Sequence, residues 1–419
     1  MTPQINYLRT IPSKYLQILS WILLFTLSLQ LQVQAQEQDD PRWVTTWSTS
    51  PSTMPQSGAD EAAGARDQTL RLIVHSSIGG SSLRLRLSNY HGDGPMNIGA
   101  ASVALQTQGS SIQSGSSMAV TFNGQPIVTI ARGATIFSDP VDFDVPELTN
   151  LSVSLYLPGA SGFLTAHALS NQTNYLTDSG NQVTNSRLTG AEETPAWSLL
   201  TAIDVIADES ITAIAMVGDS ITDGWGSTLS GNQRWPNHFA RRLFQDESMA
   251  KFAIVNAGIS GNQVTSEASP QFGQNLQARF ERDVLALSKI SHMVLMEGIN
   301  DIGMPTMAGG ESASADAIIA GYRQVLARAH ARGIKVIGAT LTPYEGAVYF
   351  TADGELIRQQ VNDFIRNSGE FDGVIDFEKV VQDPANPSRI LPSLTADNLH
   401  PNDAGYKLMA EAIDLSLFK

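Results

Sequence analysis

The sequence has 419 residues, of which 26 are Lys or Arg and 41 are Asp or Glu, so its net charge is −15 at neutral pH. This acidity argues against nucleic acid as a partner, because phosphate binding needs a basic surface. The sequence contains no cysteine, which excludes disulfides, cysteine-based zinc sites and a cysteine nucleophile.

The first 35 residues have the composition of an export signal. Arg9 and Lys14 precede an apolar run over 18–29, and small or tolerated residues follow at 33–35. The run is too short to span a bilayer comfortably. We predict that residues 1–35 are a cleaved signal peptide and that the protein is secreted or periplasmic, without stable membrane insertion after cleavage. An uncleaved anchor is the alternative, because glutamines do not close the apolar run sharply.

The next segment, from Trp43 to about Val205, is rich in Ser, Thr, Gly and Asn and contains short alternating runs. Residues 83–88 alternate leucine with arginine, and together with residues 70–75 they flank Gly79-Gly80 in a hairpin-like arrangement. Further strand-like runs lie at 119–122, 127–130 and 151–157. The pattern predicts an N-terminal antiparallel β-sandwich domain over residues 43–207.

From Ser210 onward, strand-like runs alternate with helix-like segments. The strand-like runs are 211–217, 252–256, 292–297, 334–340 and 373–377. The helix-like segments are 233–244, 276–287, 315–332, 355–366 and 404–415. Such alternation predicts a parallel sheet with helices on both faces, that is, a doubly wound α/β/α sandwich over residues 208–419.

The first of these strand-like runs ends in Gly218-Asp219-Ser220. A serine in this position lies at the carboxyl edge of the sheet, where ligands bind in open α/β folds. If a helix starts there, the serine N–H points toward any anion formed nearby. Ser220 is therefore a candidate nucleophile; on its own it would be read as a helix N-cap.

A serine nucleophile needs a general base, a group that orients the base, and donors for an oxyanion. Asp397 precedes His400 by three residues, which puts both side chains on the same side of one turn. Two segments, 256–262 and 298–301, each place Gly and Asn just after a strand. They offer backbone N–H groups that can approach a substrate closely, and side-chain amide donors.

These motifs resemble, in the right order, the four blocks of the SGNH, or GDSL, hydrolase superfamily. The blocks are Gly218-Asp219-Ser220, Gly261, Asn300 and Asp397-x-x-His400. The resemblance implies that Ser220 is the nucleophile, His400 the base and Asp397 its orienting group. It also implies an oxyanion hole made of the N–H of Ser220, the N–H of Gly261 and the side-chain amide of Asn300, with Gly258 as the competitor of Gly261. It implies no metal and no organic cofactor.

The N-terminal half resembles the β domain of a two-domain branch of secreted SGNH esterases, often described as similar to xylan acetylesterases. The residues that carry this likeness are Trp43–Pro51, Ser76–Asn89, Ser138–Val141 and Thr165–His167. The implied function is hydrolysis of a short acyl ester, such as acetyl on a polysaccharide. The alternatives are a lipase or arylesterase on small or lipidic esters, and a carbohydrate-binding protein with little turnover. The oligomeric state and the role of the β domain stay open.

Several other residues have a simpler interpretation than a catalytic one. We expect Asp219 and Asp223 to be turn or helix-start groups and not metal ligands, and Asp301 to brace its loop. Trp225 could line the site, whereas core packing is at least as good an expectation for Trp235. For His167 we expect a packing role.

Overall fold

The computed structural model describes residues 42–53, 64–307 and 309–419. The predicted signal peptide, residues 1–35, lies outside these ranges. Residues 42–419 form one compact unit. Within the described ranges, no helix combines the length and the apolar character needed to cross a membrane.

The C-terminal half is built on a parallel sheet of five strands. Their order across the sheet is Phe252–Gly258, Thr212–Gly218, Ile290–Met296, Lys335–Ala339 and Gly373–Ile375. The first of these strands in sequence is apolar and almost entirely buried, as expected for a parallel strand covered on both faces. This strand, Thr212–Gly218, lies between the two strands that follow it in the sequence, Phe252–Gly258 and Ile290–Met296. The direction in which successive strands are added to the sheet therefore reverses beside it. The carboxyl edge at such a switch point is where open α/β sheets bind ligands.

The helices of this half form two packed groups. The α-helices are Ser220–Asp223, Trp235–Gln245, Leu276–Phe280, Ile299–Met307, Ala315–His330, Ala352–Asn367, Phe377–Val381 and Asp403–Ala412. A π-helical segment, Glu281–Leu285, and three short 3₁₀ turns, Pro270–Phe272, Pro392–Leu394 and Leu415–Phe418, complete the set. Right-handed crossovers that run across the sheet in opposite directions put their helices on opposite faces of the sheet. The predicted doubly wound α/β/α fold is confirmed.

The N-terminal half consists of antiparallel sheets, as predicted. The largest has six strands, ordered Ala191–Thr194, Asn174–Thr177, Gln68–His75, Asn150–Leu157, Ala100–Leu105 and Met118–Val120. A second has the order Trp43–Ser48, Leu200–Ile206, Gly80–Ser88 and Val141–Val145, with Thr135–Phe137 also paired to Gly80–Ser88. Smaller sheets join Trp197–Ser198, Thr165–His167 and Ser52–Thr53, and pair Met96–Ile98 with Val128–Ile130. A further two-stranded sheet, Gln382–Asp383 with Asn386–Ile390, belongs to the C-terminal half.

The predicted hairpin at Gly79-Gly80 is wrong. Gln68–His75 pairs with Asn150–Leu157, whereas Gly80–Ser88 pairs with Leu200–Ile206, so the two strands belong to different sheets. The glycines turn the chain from one sheet to the other, and a Cβ on Gly80 would lie 2.5 Å from the carbonyl oxygen of Ile206.

The alternating strand Gly80–Ser88 is buried on both faces, which explains why the hairpin prediction failed. Its leucines belong to the core between the sheets. Its arginines are buried as well: Arg84 Nε donates to Asp204 Oδ2 at 3.0 Å, and Arg86 Nη2 donates to the carbonyl oxygen of Arg282 at 3.1 Å. The polar face of this strand therefore contacts the parallel half instead of solvent.

Hydrogen bonds join the antiparallel and the parallel parts directly. Ser48 Oγ donates to the carbonyl oxygen of Asn256 at 3.1 Å, and Ser50 Oγ donates to that of Ala257 at 3.2 Å. Both acceptors lie on the edge strand Phe252–Gly258 of the parallel sheet. The predicted boundary between residues 207 and 208 falls in the connection between the two parts, and their status as separate domains stays a prediction.

Candidate active site

Ser220 lies at the carboxyl end of the strand Thr212–Gly218. The side chain of Asp219 caps the following helix by accepting a hydrogen bond from the N–H of Ile221 at 3.0 Å, as we expected for a helix-start residue. Ser220 is the first helical residue, so the N-cap role falls to Asp219. The helix ends after one turn at Gly224, whose φ of 103° is in the left-handed region that glycine adopts readily.

His400 and Asp397 meet Ser220 from the loop before the last helix. Ser220 Oγ lies 2.8 Å from His400 Nε2, and His400 Nδ1 lies 2.7 Å from Asp397 Oδ2. A carboxylate only accepts, so Nδ1 carries the hydrogen and Nε2 is left to accept from the serine hydroxyl. The structure therefore brings the three predicted residues together in the tautomer that suits a general base.

The electrostatics of Asp397 agree with this arrangement. Burial alone would raise the pKa of Asp397, but hydrogen bonds from the side chain and the backbone N–H of His400 lower it well below its ordinary value. The N–H of Leu399 adds a further bond at 3.0 Å. Asp397 is thus ionised across the neutral pH range and holds the imidazole in place.

Gly261 lies beside Ser220 in the same cleft. Its φ is 79°, and a Cβ would lie 2.5 Å from the ring of Phe272, so only glycine fits this position without strain. Its competitor Gly258 donates its N–H to Asn256 Oδ1 at 2.8 Å. This geometry favours Gly261 over Gly258 as a donor to a bound substrate.

Asn300 also lines the cleft and is the second residue of the helix Ile299–Met307. This helix was absent from the sequence prediction. Nδ2 of Asn300 donates to the carbonyl oxygen of Asn262 at 3.1 Å, and Oδ1 accepts from the hydroxyl of Tyr349 at 3.3 Å. These two contacts fix the plane of the amide and leave its second hydrogen available to a ligand.

Asp301 braces the loop that carries Gly261, as predicted. Its carboxylate accepts hydrogen bonds of 2.8 Å from the backbone N–H groups of Val264 and Thr265, and one of 2.7 Å from the Thr265 hydroxyl. Asp301 therefore ties the loop after the strand Phe252–Gly258 to the helix Ile299–Met307.

A cleft of about 280 Å³ opens over these residues. Most of its wall is apolar and comes from Leu169, Trp225, Phe272, Met304, Met307, Val348, Tyr349 and Leu399. Trp225 is 45% exposed, and the centroid of its ring lies 6.4 Å from that of the His400 ring. Trp235, by contrast, is completely buried in the core. Of the two tryptophans considered, only Trp225 is placed to meet a substrate.

A buried acidic cluster behind the nucleophile escaped the sequence analysis. Burial raises the pKa of Asp219 to about 7 and that of Glu297 to about 8. Arg279 faces this cluster, and its Nη2 donates to Glu297 Oε2 at 3.2 Å. Asp219, Arg279 and Glu297 are far apart in the sequence, so no local motif indicates the cluster.

The sequence analysis also underestimated His167 and Asp223. His167 lies in the antiparallel half, yet its Nε2 is 3.0 Å from Asp223 Oδ1, three residues after the nucleophile. Both side chains are buried. No spacing pattern in the sequence joins these two residues.

The residues described by the structure include no group of three or more His, Cys, Asp or Glu side chains arranged to hold a metal ion.

Comparison with known proteins gives one family match. Residues 216–408 match the model of the GDSL-like lipase/acylhydrolase family. No curated protein matches the sequence significantly.

Solved structures similar to the chain include a GDSL-like lipase from Bacteroides thetaiotaomicron, with 20% identity over 51% of this chain and 90% of that one, and a TM-score of 0.38. An acetyl xylan esterase has 22% identity over 48% and 96% of the two chains, with a TM-score of 0.37. An aryl esterase from M. smegmatis has 15% identity over 48% and 95%, with a TM-score of 0.39.

Proposed function

We propose that Ser220, His400 and Asp397 are the catalytic triad of this chain, a carboxylic ester hydrolase whose residues 216–408 match the model of the GDSL-like lipase/acylhydrolase family. The observation that carries the proposal is the unbroken chain of hydrogen bonds from Ser220 Oγ through the imidazole to Asp397, at 2.8 and 2.7 Å. These three hydrogen-bonded residues line the same cleft as Gly261 and Asn300.

In the proposed reaction, Ser220 Oγ attacks the carbonyl carbon of the ester while His400 Nε2 takes the serine proton. The N–H groups of Ser220 and Gly261 and the amide of Asn300 stabilise the oxyanion of the tetrahedral intermediate. His400 returns the proton to the departing alcohol, which leaves an acyl group on Ser220. Water, deprotonated by His400, then attacks the acyl group. The bond between the acyl carbon and Ser220 Oγ breaks, His400 returns the proton to Oγ, and the acid leaves.

For the substrate, we propose a short acyl ester on a carbohydrate, acetyl being the first candidate. The ring of Trp225 is exposed at the cleft mouth beside His400, and such a flat apolar ring is a surface on which a sugar can pack. The export signal predicted for residues 1–35 supports an esterase that acts outside the cytoplasm, on a polysaccharide.

A second candidate is an esterase for small aryl or lipidic esters. The apolar wall of the cleft favours it, because Phe272, Met304 and Met307 offer little to a sugar hydroxyl. Val348 at the rim is 83% exposed, which extends the apolar surface outward. The two candidates share the mechanism and differ in what the cleft accepts.

The test is acid release from p-nitrophenyl acetate, from p-nitrophenyl esters of increasing chain length and from acetylated xylan, without added metal. Wild type is compared with Ser220→Ala. Ser291→Ala is the matched control. Ser291 is the second residue of the strand Ile290–Met296 and lies at the amino end of that strand, whereas the cleft lies at the carboxyl ends of the strands.

We expect Ser220→Ala to lose hydrolysis and Ser291→Ala to keep it. Release of acetate from xylan supports the carbohydrate esterase, whereas a rate that rises with chain length and spares xylan supports the second candidate. Hydrolysis that persists in Ser220→Ala overturns the triad. Xylan binding without any hydrolysis by wild type would instead favour a carbohydrate-binding protein with little turnover.

A further inference from the structure

His167 connects the antiparallel half to the nucleophile helix. It is the last residue of the strand Thr165–His167 and is only 2% exposed. Its Nδ1 lies 2.9 Å from the carbonyl oxygen of Ser50, and its Nε2 lies 3.0 Å from Asp223 Oδ1. The imidazole therefore bridges a backbone group of one half and a carboxylate of the other.

The partners of this ring define its charge. Ser50 offers only a carbonyl oxygen, so Nδ1 carries a hydrogen and donates it. Burial alone would lower the pKa of His167, but the Asp223 carboxylate outweighs burial and raises it, against a smaller opposing effect of Arg234. The contact with Asp223 thus favours the imidazolium form of the ring, and a charge on either side chain would be costly to bury without the other.

The other oxygen of Asp223 holds the loop of the oxyanion hole. Asp223 Oδ2 accepts the backbone N–H of Ser260 at 3.0 Å and the Ser260 hydroxyl at 2.7 Å. Gly261, whose N–H is the proposed oxyanion donor, is the next residue. The carboxylate thus sits between the helix that starts with Ser220 and the loop that supplies the second donor.

We propose that His167 is a positioning residue: through Asp223 and Ser260, the antiparallel half fixes the Gly261 N–H relative to Ser220. This role rests on the proposed function, because it concerns the same oxyanion hole. Without the imidazole, Asp223 Oδ1 loses its hydrogen-bond donor, and the hold of the carboxylate on the Ser260 N–H weakens. A donor displaced by about 1 Å can cost up to roughly 100-fold in rate.

The first measurement is the steady-state kinetics of His167→Gln on p-nitrophenyl acetate. We expect kcat to fall by about 10-fold with KM nearly unchanged, because a misplaced oxyanion donor acts on the transition state and not on substrate binding. His292→Gln is the control: His292 is buried in the parallel half, at the end of its strand remote from the cleft. It is expected to change stability without changing kcat.

A second variant covers the case in which His167→Gln does not fold. Asp223→Asn keeps the shape of the side chain and removes its charge. We expect the same loss in kcat, and no further loss when both substitutions are combined, because both act on one connection. Losses that simply multiply in the double variant would overturn the proposal, as would an unchanged kcat in either single variant.

A readout without catalysis separates this proposal from the proposed function. Amide hydrogen exchange over residues 258–262 is expected to be at least about 10-fold faster in His167→Gln, because the Ser260 N–H loses part of its protection. Exchange over the strand Ile290–Met296 should not change. Unaltered exchange at 258–262 rejects the connection even if Ser220-dependent hydrolysis is found, and faster exchange supports it even if that hydrolysis is not.

Discussion

The hydroxyl of Tyr349 donates a hydrogen bond of 3.3 Å to Oδ1 of Asn300. Tyr349 is buried and lines the cleft. A donor on the amide oxygen polarises the amide and fixes the orientation of its nitrogen, which is the proposed donor to the oxyanion. The relationship makes Tyr349 a support for the proposed donor and leads to the first prediction.

We expect Tyr349→Phe to lower kcat by about fivefold, since the loss of one neutral hydrogen bond costs about 1 kcal/mol. KM should stay the same, because the amide is engaged only in the transition state. Steady-state kinetics on p-nitrophenyl acetate checks this. Tyr344→Phe is the matched control, because Tyr344 is the neighbouring ring at 6.1 Å between centroids. An equal loss in both variants would contradict the specific role.

Removing the amide itself should have a larger effect. We expect Asn300→Ala to lower kcat by roughly 10²- to 10³-fold, the usual cost of one oxyanion donor. The variant should still be labelled at Ser220 by a fluorophosphonate, although more slowly. A loss of less than about threefold would exclude Asn300 from the oxyanion hole, given the size of that usual cost.

The lowered pKa of Asp397 predicts where pH affects the site. Because the folded value is below the ordinary one, the stability contributed by Asp397 is fully present above the ordinary pKa of about 4 and is lost as pH falls further. The acid limb of the kcat/KM profile should therefore not follow the ionisation of Asp397. We expect Asp397→Asn to lower kcat by up to about 10⁴-fold near neutral pH. A wild-type limb that follows a group titrating near pH 4 would contradict this assignment.

The raised pKa of Glu297 predicts that the stability of the fold falls as pH rises, whereas the stability contributed by Asp397 is lost as pH falls. Burial raises its pKa from 4.5 to about 8, so the folded state binds more protons than the unfolded state between these values, and stability falls as pH rises through them. Glu297→Gln cannot ionise. Its Tm should therefore approach that of wild type near pH 5 and exceed it at pH 8.5.

Thermal unfolding at the two pH values measures this effect. Glu281→Gln is the control, because the Glu281 side chain is 53% exposed and pairs with Arg328 at the surface. Its difference from wild type should be the same at both pH values. A Tm gap for Glu297→Gln that does not grow with pH would show that the carboxyl is not protonated in the folded state.

The stability of the fold should depend on a buried ion pair between two neighbouring strands of the antiparallel half, Gly80–Ser88 and Leu200–Ile206. Arg84 and Asp204 lie 3.0 Å apart and are nearly inaccessible. Arg84→Met should cost about 3 to 5 kcal/mol of unfolding free energy, because it leaves a buried carboxylate without its partner. Arg323→Met, which breaks the exposed pair with Glu370, should cost about 0 to 1 kcal/mol. Urea unfolding of both variants tests the contrast, and equal costs would refute it.

The sequence contained the information for the parallel sheet and for the residues gathered at its edge. The strand before Ser220 is an uninterrupted apolar run, and Asp397 and His400 are three residues apart, so both signals are local. The strand Gly373–Ile375 ends two residues earlier than predicted, because Phe377 begins a helix capped by Asp376. The helix Ile299–Met307 was missed since it contains Gly303 and Pro305, which usually indicate a loop.

What the sequence could not give depends on contacts between distant segments. The alternation of leucine and arginine over 83–88 indicates a strand with an apolar and a charged face, but it does not show that Arg84 and Arg86 are buried. His167 looked like a packing residue for the same reason: its partner Asp223 is identified only when the two halves are assembled. A single sequence gives the period of a strand but not what covers its polar face.

The pairing of Trp43–Ser48 with Leu200–Ile206 has a consequence for how the chain folds as it is made. Trp43 pairs with Ile206 and Ser48 with Ala202. The strand Trp43–Ser48 therefore lacks this pairing partner until residues up to 206 have left the ribosome. An unpaired strand is prone to pair with other chains, and contacts between distant residues form slowly. We therefore expect nascent chains that end before residue 200 to need a chaperone. We expect ester hydrolase activity to be detected only after the strand Trp43–Ser48 has paired with Leu200–Ile206.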